Sequence, residues 1–145
     1  MNKRNTPIIL VLTCLAALAD GSSRAAAAPL TPDSLRCEYR VNPAGIDETA
    51  PRLSWRVMSK ERGERQIAYQ VLVAGTEAAL AHDTGDFWDS GKVASDDTTA
   101  IVYGGRALAS GQVCHWKVRV WDKDGKASDW SEPAVWSMEI GRAHV

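Results

Sequence analysis

From Leu35 onward, apolar and polar residues alternate in short runs separated by turn residues. In Leu35–Val41 (LRCEYRV), Leu35, Cys37, Tyr39 and Val41 fall on one side, and Arg36, Glu38 and Arg40 on the other. Successive side chains leave a β-strand on opposite faces, so a period of two predicts a half-buried strand. Arg52–Val57 repeats the pattern with Leu53, Trp55 and Val57 inward, and Ile67–Ala74 (IAYQVLVA) is rich in β-branched and aromatic residues. Thr76–Asp83 predicts a helical turn or a loop, Phe87–Val93 a broken strand, and Thr98–Tyr103 another strand. The clearest run is Cys114–Trp121 (CHWKVRVW): Cys114, Trp116, Val118 and Val120 point one way, and His115, Lys117, Arg119 and Trp121 the other. Ala134–Glu139 is the last strand. Asn42–Gly45, Ser59–Gln66, Gly104-Gly105, Ser110-Gly111 and Asp122–Gly125 carry the Asn, Asp, Gly, Pro and Ser of turns.

About seven short strands at close spacing, with no long helix, predict an all-β fold. A single free sheet would leave one apolar face in water, so a second sheet must cover it. The expected architecture is an immunoglobulin/fibronectin type III-like antiparallel β-sandwich over residues 35–139, preceded by a linker at 29–34. Leu53, Trp55, Tyr69, Val71, Trp116, Val118 and Trp136 are its expected core. That set rests on period two, and a slip of one residue would invert a strand.

The start of the chain has a different character. Lys3 and Arg4 precede the apolar run Ile8–Ala19, and Asp20–Pro29 is small and polar. A positive start, a short apolar run and a small-residue exit make a secretory signal, expected at residues 1–28. Ala26-Ala27-Ala28 fits the cleavage rule, with Ala17-Leu18-Ala19 as a rival site. The run falls short of the roughly 20 residues that a spanning helix needs. Cys14 is a weak lipidation candidate, since Thr13 stands where a small Gly, Ala or Ser is usual. The expected destination is the periplasm or the extracellular space. Without Lys3, Arg4, Arg24 and Asp20 the net charge is about −3, with no block of like charge. That argues against nucleic acid, and against a membrane once the leader is removed.

Catalytic chemistry is not evident. Glycoside hydrolysis needs two carboxylates facing one another across a pocket. Glu61, Glu64, Asp83, Asp86, Asp89, Asp96 and Asp97 instead fall in the connections, where solvated charges belong. His82, His115 and His144 lack metal-ligand spacing. Asp122-Lys123-Asp124-Gly125 resembles part of a calcium loop, but the distal Glu is missing and a hairpin turn is expected. No catalytic, cofactor-binding or metal residue is nominated, and no cofactor is expected. Phe87, Trp88, Trp121 and Trp130 could stack on sugar rings, or they could cover the edges of the sandwich; covering is the expected role. Cys37 and Cys114 can form a disulfide in an exported protein. They fall on the first and sixth strands, which lie in different sheets of such a sandwich, so two buried thiols are expected.

The segments also match a known order. Leu35-Arg36-Cys37-Glu38-Tyr39 leads to Asn42-Pro43-Ala44-Gly45-Ile46-Asp47, then Pro51–Arg56 (PRLSWR) and Gln66–Ala74 (QIAYQVLVA). Trp88–Val93 (WDSGKV), Trp116–Asp122 (WKVRVWD) and Trp130-Ser131-Glu132-Pro133 follow. This series, covering nearly all of Leu35–Met138, resembles the N-terminal module of bacterial α-L-rhamnosidases of glycoside hydrolase family 78. The resemblance implies a non-catalytic support domain whose partners are the downstream domains of its enzyme, with carbohydrate as a further candidate. The family's acidic catalytic residues lie far downstream, and none maps onto this chain. Similar Trp-Ser motifs in fibronectin-type domains stack the indole between basic side chains, so Trp130 is expected on Arg119 or Lys117. The alternative is a free-standing adhesion or carbohydrate-binding module.

The resemblance is expected to end near Met138 or Glu139. Ile140–Val145 (IGRAHV) is the translation of ATC GGA AGA GCA CAC GTC, which resembles a widely used short-read sequencing adapter. The expectation is that residues 140–145 are an artefact that packs on nothing.

Overall fold

Each strand forms where the chain alternates, and its register buries one side of the alternation. In the computed structural model, which describes residues 28–141, these strands are β1 (Leu30–Cys37), β2 (Arg52–Ser59), β3 (Ala68–Ala74), β4 (Trp88–Asp89), β5 (Ile101–Val102), β6 (Val113–Trp121) and β7 (Ala134–Ser137). One helix, α1 (Glu77–Ala81), follows β3, and the Thr76 hydroxyl caps it by accepting the Ala79 amide at 3.1 Å. Two antiparallel sheets result, with strand orders β1-β2-β5 and β4-β3-β6-β7. This is the expected sandwich. The leader, Cys14 and residues 142–145 lie outside the described residues. Among the described residues no helix is long and apolar enough to cross a membrane.

The core lies between the sheets. Leu53, Trp55, Tyr69, Val71, Trp116, Val118 and Trp136 are all buried in one cluster, as period two predicts. Trp116 meets Trp136 edge-to-face at 6.4 Å, Trp136 meets Tyr103 at 6.0 Å, and Tyr103 meets Trp88 at 5.5 Å. At the other end Trp55 and Tyr69 pair at 5.2 Å. Buried polar tips find partners, as they must in a dry core. Trp55 Nε1 donates to Gln66 Oε1, and Gln66 Nε2 donates to the carbonyls of Ser95 and Asp97. That amide therefore ties the β4–β5 connection to the core. The Tyr103 hydroxyl donates to the Arg106 carbonyl at 2.8 Å. Gly105 is required there, because a Cβ would lie 2.3 Å from the Phe87 carbonyl oxygen.

Several expectations need correction. The linker placed at 29–34 is mostly strand: β1 begins at Leu30 and pairs with β2 through Leu30–Asp33. Pro32 is admissible because β1 is an edge strand, where a missing N–H breaks no ladder. Conversely, the first strand does not run to Val41. It stops at Cys37, Glu38 and Tyr39 adopt φ of 48° and 64°, and Tyr39 and Val41 are exposed. A tight turn closed by Cys37 and Arg40 replaces the last residues of the expected strand. Ala28, the first described residue, is buried and donates its amide to the Ala127 carbonyl at 3.2 Å, which leaves the expected leader untested. Ile140 does not hang free: it packs on the core cluster, and its amide donates to Ser110 Oγ.

Replacing the wholly buried Trp116 by Ala should cost about 3–5 kcal/mol of unfolding free energy. Val102→Ala, at an exposed position of β5, should change it by less than about 0.5 kcal/mol. Urea denaturation of the two variants checks the inward and outward assignment directly.

Candidate functional site

Three places gather chemistry. The first is the β6–β7 connection, where Glu64, Asp122 and Asp124 bring carboxylate oxygens within 4.8 Å of one another. Asp122 is buried, and its Oδ1 accepts the amides of Asp124 and Lys126 at 2.9 and 2.8 Å. Glu64 Oε1 accepts the Lys123 amide, and Gly125 takes φ of 80°. These bonds close a turn, which is what the Asp-Lys-Asp-Gly motif predicts.

The second place is the outer face of the four-stranded sheet. Lys117 and Arg119 project from β6, and the segment after Asp122–Gly125 lies along that strand. Ser128 and Ser131 hold it there. Each hydroxyl accepts a β6 amide (Val120 and Val118), and each serine's own amide donates to the carbonyl of the same residue. Trp130 is thereby laid over the sheet, with Arg119 at 4.6 Å and Lys117 at 4.9 Å from its ring centre. Arg119 also stands 5.1 Å from the Trp121 ring, and Lys92 stands 4.9 Å from it. The resulting stack reads Lys92, Trp121, Arg119, Trp130, Lys117. Two of its cations are anchored: Lys117 pairs with Asp83, and Arg119 Nε donates to Gln70 Oε1 at 2.9 Å.

This stack decides the role of the aromatics. Trp121 and Phe87 are buried rather than exposed, and Arg106 lies 4.1 Å from the Phe87 ring centre. Trp88 is half-buried against Tyr103. Trp130 has two cations over its ring. All four pack on the sandwich, Phe87 and Trp121 buried and Trp88 and Trp130 half-buried. The expected contact of Trp130 is present with both basic residues.

The third place is a groove of about 450 Å³ between β1 and residues 130–134. Asp33 and Glu132 both line it. Glu132 is exposed and Asp33 half-buried. His82 is exposed and ends α1, and His115 is half-buried on β6. His144 lies outside the described residues. Cys37 and Cys114 are buried free thiols in different sheets, and burial pushes both up to about 12. Burial likewise raises the Tyr103 phenol to about 12. None of these groups is primed as a nucleophile, since the thiolate is the reactive form.

Geometry therefore defines an immunoglobulin-like sandwich whose chemistry is spent on its own cohesion. Residues 32–142 match the family described as the Rha78A-like, N-terminal immunoglobulin domain, and the chain belongs to that family. The match reaches position 142, beyond Glu139, where the resemblance was expected to end. An α-L-rhamnosidase of Streptomyces avermitilis is 50% identical over 103 residues, which are 71% of this chain and 10% of that protein. One of Formosa agariphila is 36% identical over 108 residues, 74% of this chain and 11% of that protein. The crystal structure of a Streptomyces avermitilis α-L-rhamnosidase complexed with L-rhamnose superposes with a TM-score of 0.72 at 47% identity, covering 76% of this chain and 10% of that one. The α-L-rhamnosidase of Dictyoglumus thermophilum gives 0.74 at 36% identity, covering 76% and 12%. A human fibronectin type III domain, at 13% identity and a TM-score of 0.50, shares the fold. The chain thus spans about a tenth of the length of the rhamnosidases it matches.

Two outcomes follow. Trp130→Ala removes two cation–π contacts, about 0.5–1 kcal/mol each, so the melting temperature should fall by several degrees in calorimetry. An unchanged melting temperature would contradict the stack. The thiols give a pH signature. Below about pH 9 folded and unfolded chains both hold these protons, and between about 9 and 12 only the folded chain keeps them. The unfolded state then binds fewer protons, so stability should fall as pH rises through that window. Urea midpoints compared at about pH 8 and about pH 10.5 measure the loss.

Proposed function

We propose that this chain is the N-terminal, non-catalytic support domain of an exported α-L-rhamnosidase. In this reading terminal α-L-rhamnose is released by residues outside the chain. The observation that carries it is 50% identity to a rhamnosidase of which the chain spans only a tenth. The geometry adds support. Among the described residues no enclosed pocket holds a pair of buried carboxylates, and the aromatic rings that could have held sugar are occupied. The covered rings also weigh against the free-standing carbohydrate module.

The downstream domains of the enzyme are the proposed partners, and residues 1–28 the proposed export signal. The adapter origin of residues 140–145 is a proposal, and independent genomic reads across that codon string decide it. The purified chain should release no nitrophenol from an aryl α-L-rhamnoside, whereas the product of the complete genomic reading frame should. Turnover by the chain alone, or a reading frame that encodes no further domain, would overturn the proposal.

A further inference from the structure

The groove between β1 and residues 130–134 is left open by the way the first strand divides its partners. Residues 30–37 pair with β2. After the turn at Glu38–Val41, Asn42–Ile46 crosses to β7: Asn42 Oδ1 accepts the Val135 amide, and the Pro43 carbonyl accepts that of Ser137. Among the described residues the near half of β1 therefore has no strand on its free side. The facing segment cannot supply one, since Ser131 turns its amide and hydroxyl to Val118, and Pro133 has no N–H. Among the described residues no backbone hydrogen bond joins Thr31–Arg36 to 130–134. The β1 ladder is also irregular here: its register shifts between Asp33 and Arg36, and Ser34 takes φ of 52°.

Asp33 sits at this irregularity and lines the groove, and its Oδ1, shut off from solvent, has no hydrogen-bond donor among the described residues. Neither Arg36 in the groove nor Arg56, its neighbour across the ladder, forms an ion pair with it. A shielded carboxylate oxygen without a donor is costly. Such an atom beside an unpaired strand edge suits a partner that brings both a backbone and a donor.

We infer that this groove receives an extended segment of the parent rhamnosidase's remaining polypeptide. That segment pairs with the free edge of β1 and directs a lysine or arginine to the Asp33 carboxylate. The inference rests on the parent-enzyme reading above, which puts about nine-tenths of the relatives' length outside this chain. The balance of charge agrees, since Asp33 and Glu132 face a single Arg36 in the groove.

The test uses the product of the complete reading frame carrying Glu132→Cys, at an exposed position on the groove. The comparison is with Lys123→Cys, on the exposed turn between β6 and β7. The native Cys37 and Cys114 are buried and stay silent. Maleimide labelling of Glu132→Cys should be at least tenfold slower than that of Lys123→Cys. Adding Asp33→Leu should raise the Glu132→Cys rate several-fold. In the 145-residue chain alone the same Asp33→Leu change should leave the melting temperature equal or higher, because it removes an unpartnered acceptor. Equal labelling rates would overturn the docked segment, whether or not the protein cleaves aryl rhamnosides. Slow labelling that Asp33→Leu does not change would overturn the basic donor. Slow labelling in a protein with no rhamnosidase activity would overturn the parent-enzyme reading and the identity of the segment with it.

Discussion

The structure depends on β6, whose inner face is dry and whose outer face is largely roofed. Cys114, Trp116, Val118 and Val120 point between the sheets and are wholly buried. On the opposite face Lys117, under Trp130, and Trp121, between Lys92 and Arg119, are buried as well, while His115 and Arg119 are half-buried. A strand covered on both sides must also have both backbone edges paired, since water cannot reach them. β3 serves one edge along His115–Trp121, and β7 serves the other along Val113–Trp116. Where β7 has not yet begun, Ser128 and Ser131 serve Val120 and Val118. Their three-residue spacing lets an irregular segment follow a strand whose outward groups recur every two.

The two sheets are consequently unequal. The outer face of β1-β2-β5 is open, with Arg52, Arg56, Met58 and Val102 in solvent. Arg52 is held there by Glu38, whose carboxyl it draws below the usual range. The outer face of β4-β3-β6-β7 is roofed by alternating cations and indoles. Desolvated contacts of this kind exceed the worth of exposed ones, and Lys117 has given up most of its hydration to make them. The roof places the rings of Trp121 and Trp130 against cations rather than free in solvent.

Period two was a sufficient guide wherever a strand has one wet face or a ladder on each side. It placed Leu53, Trp55, Tyr69 and the inward side of β6 without error. It failed where chain direction changes for reasons that alternation does not encode. Tyr39 and Val41 continue the pattern of Leu35 and Cys37, yet the positive φ at Glu38 and Tyr39 turns them to solvent. Pro29 and Pro32 resemble a linker, although an edge strand accommodates Pro32 without loss. The burial of Phe87 and Trp121 was hidden because arginine and lysine cover them, residues that hydropathy assigns to the surface. The groove at Asp33 was not legible, since it arises from where β1 changes partner.

Native-state hydrogen exchange of the folded chain tests the dependence on β6 most directly. The slowest amides should be those of Trp116–Val120 and their β3 partners Tyr69–Val73, exchanging only through global unfolding. Val118 and Val120, bonded to serine hydroxyls rather than to a strand, should be as slow as their neighbours. Exchange at Val118 and Val120 as fast as that of the short β5 would contradict the account, because the two-sided enclosure of β6 would then not exist in solution.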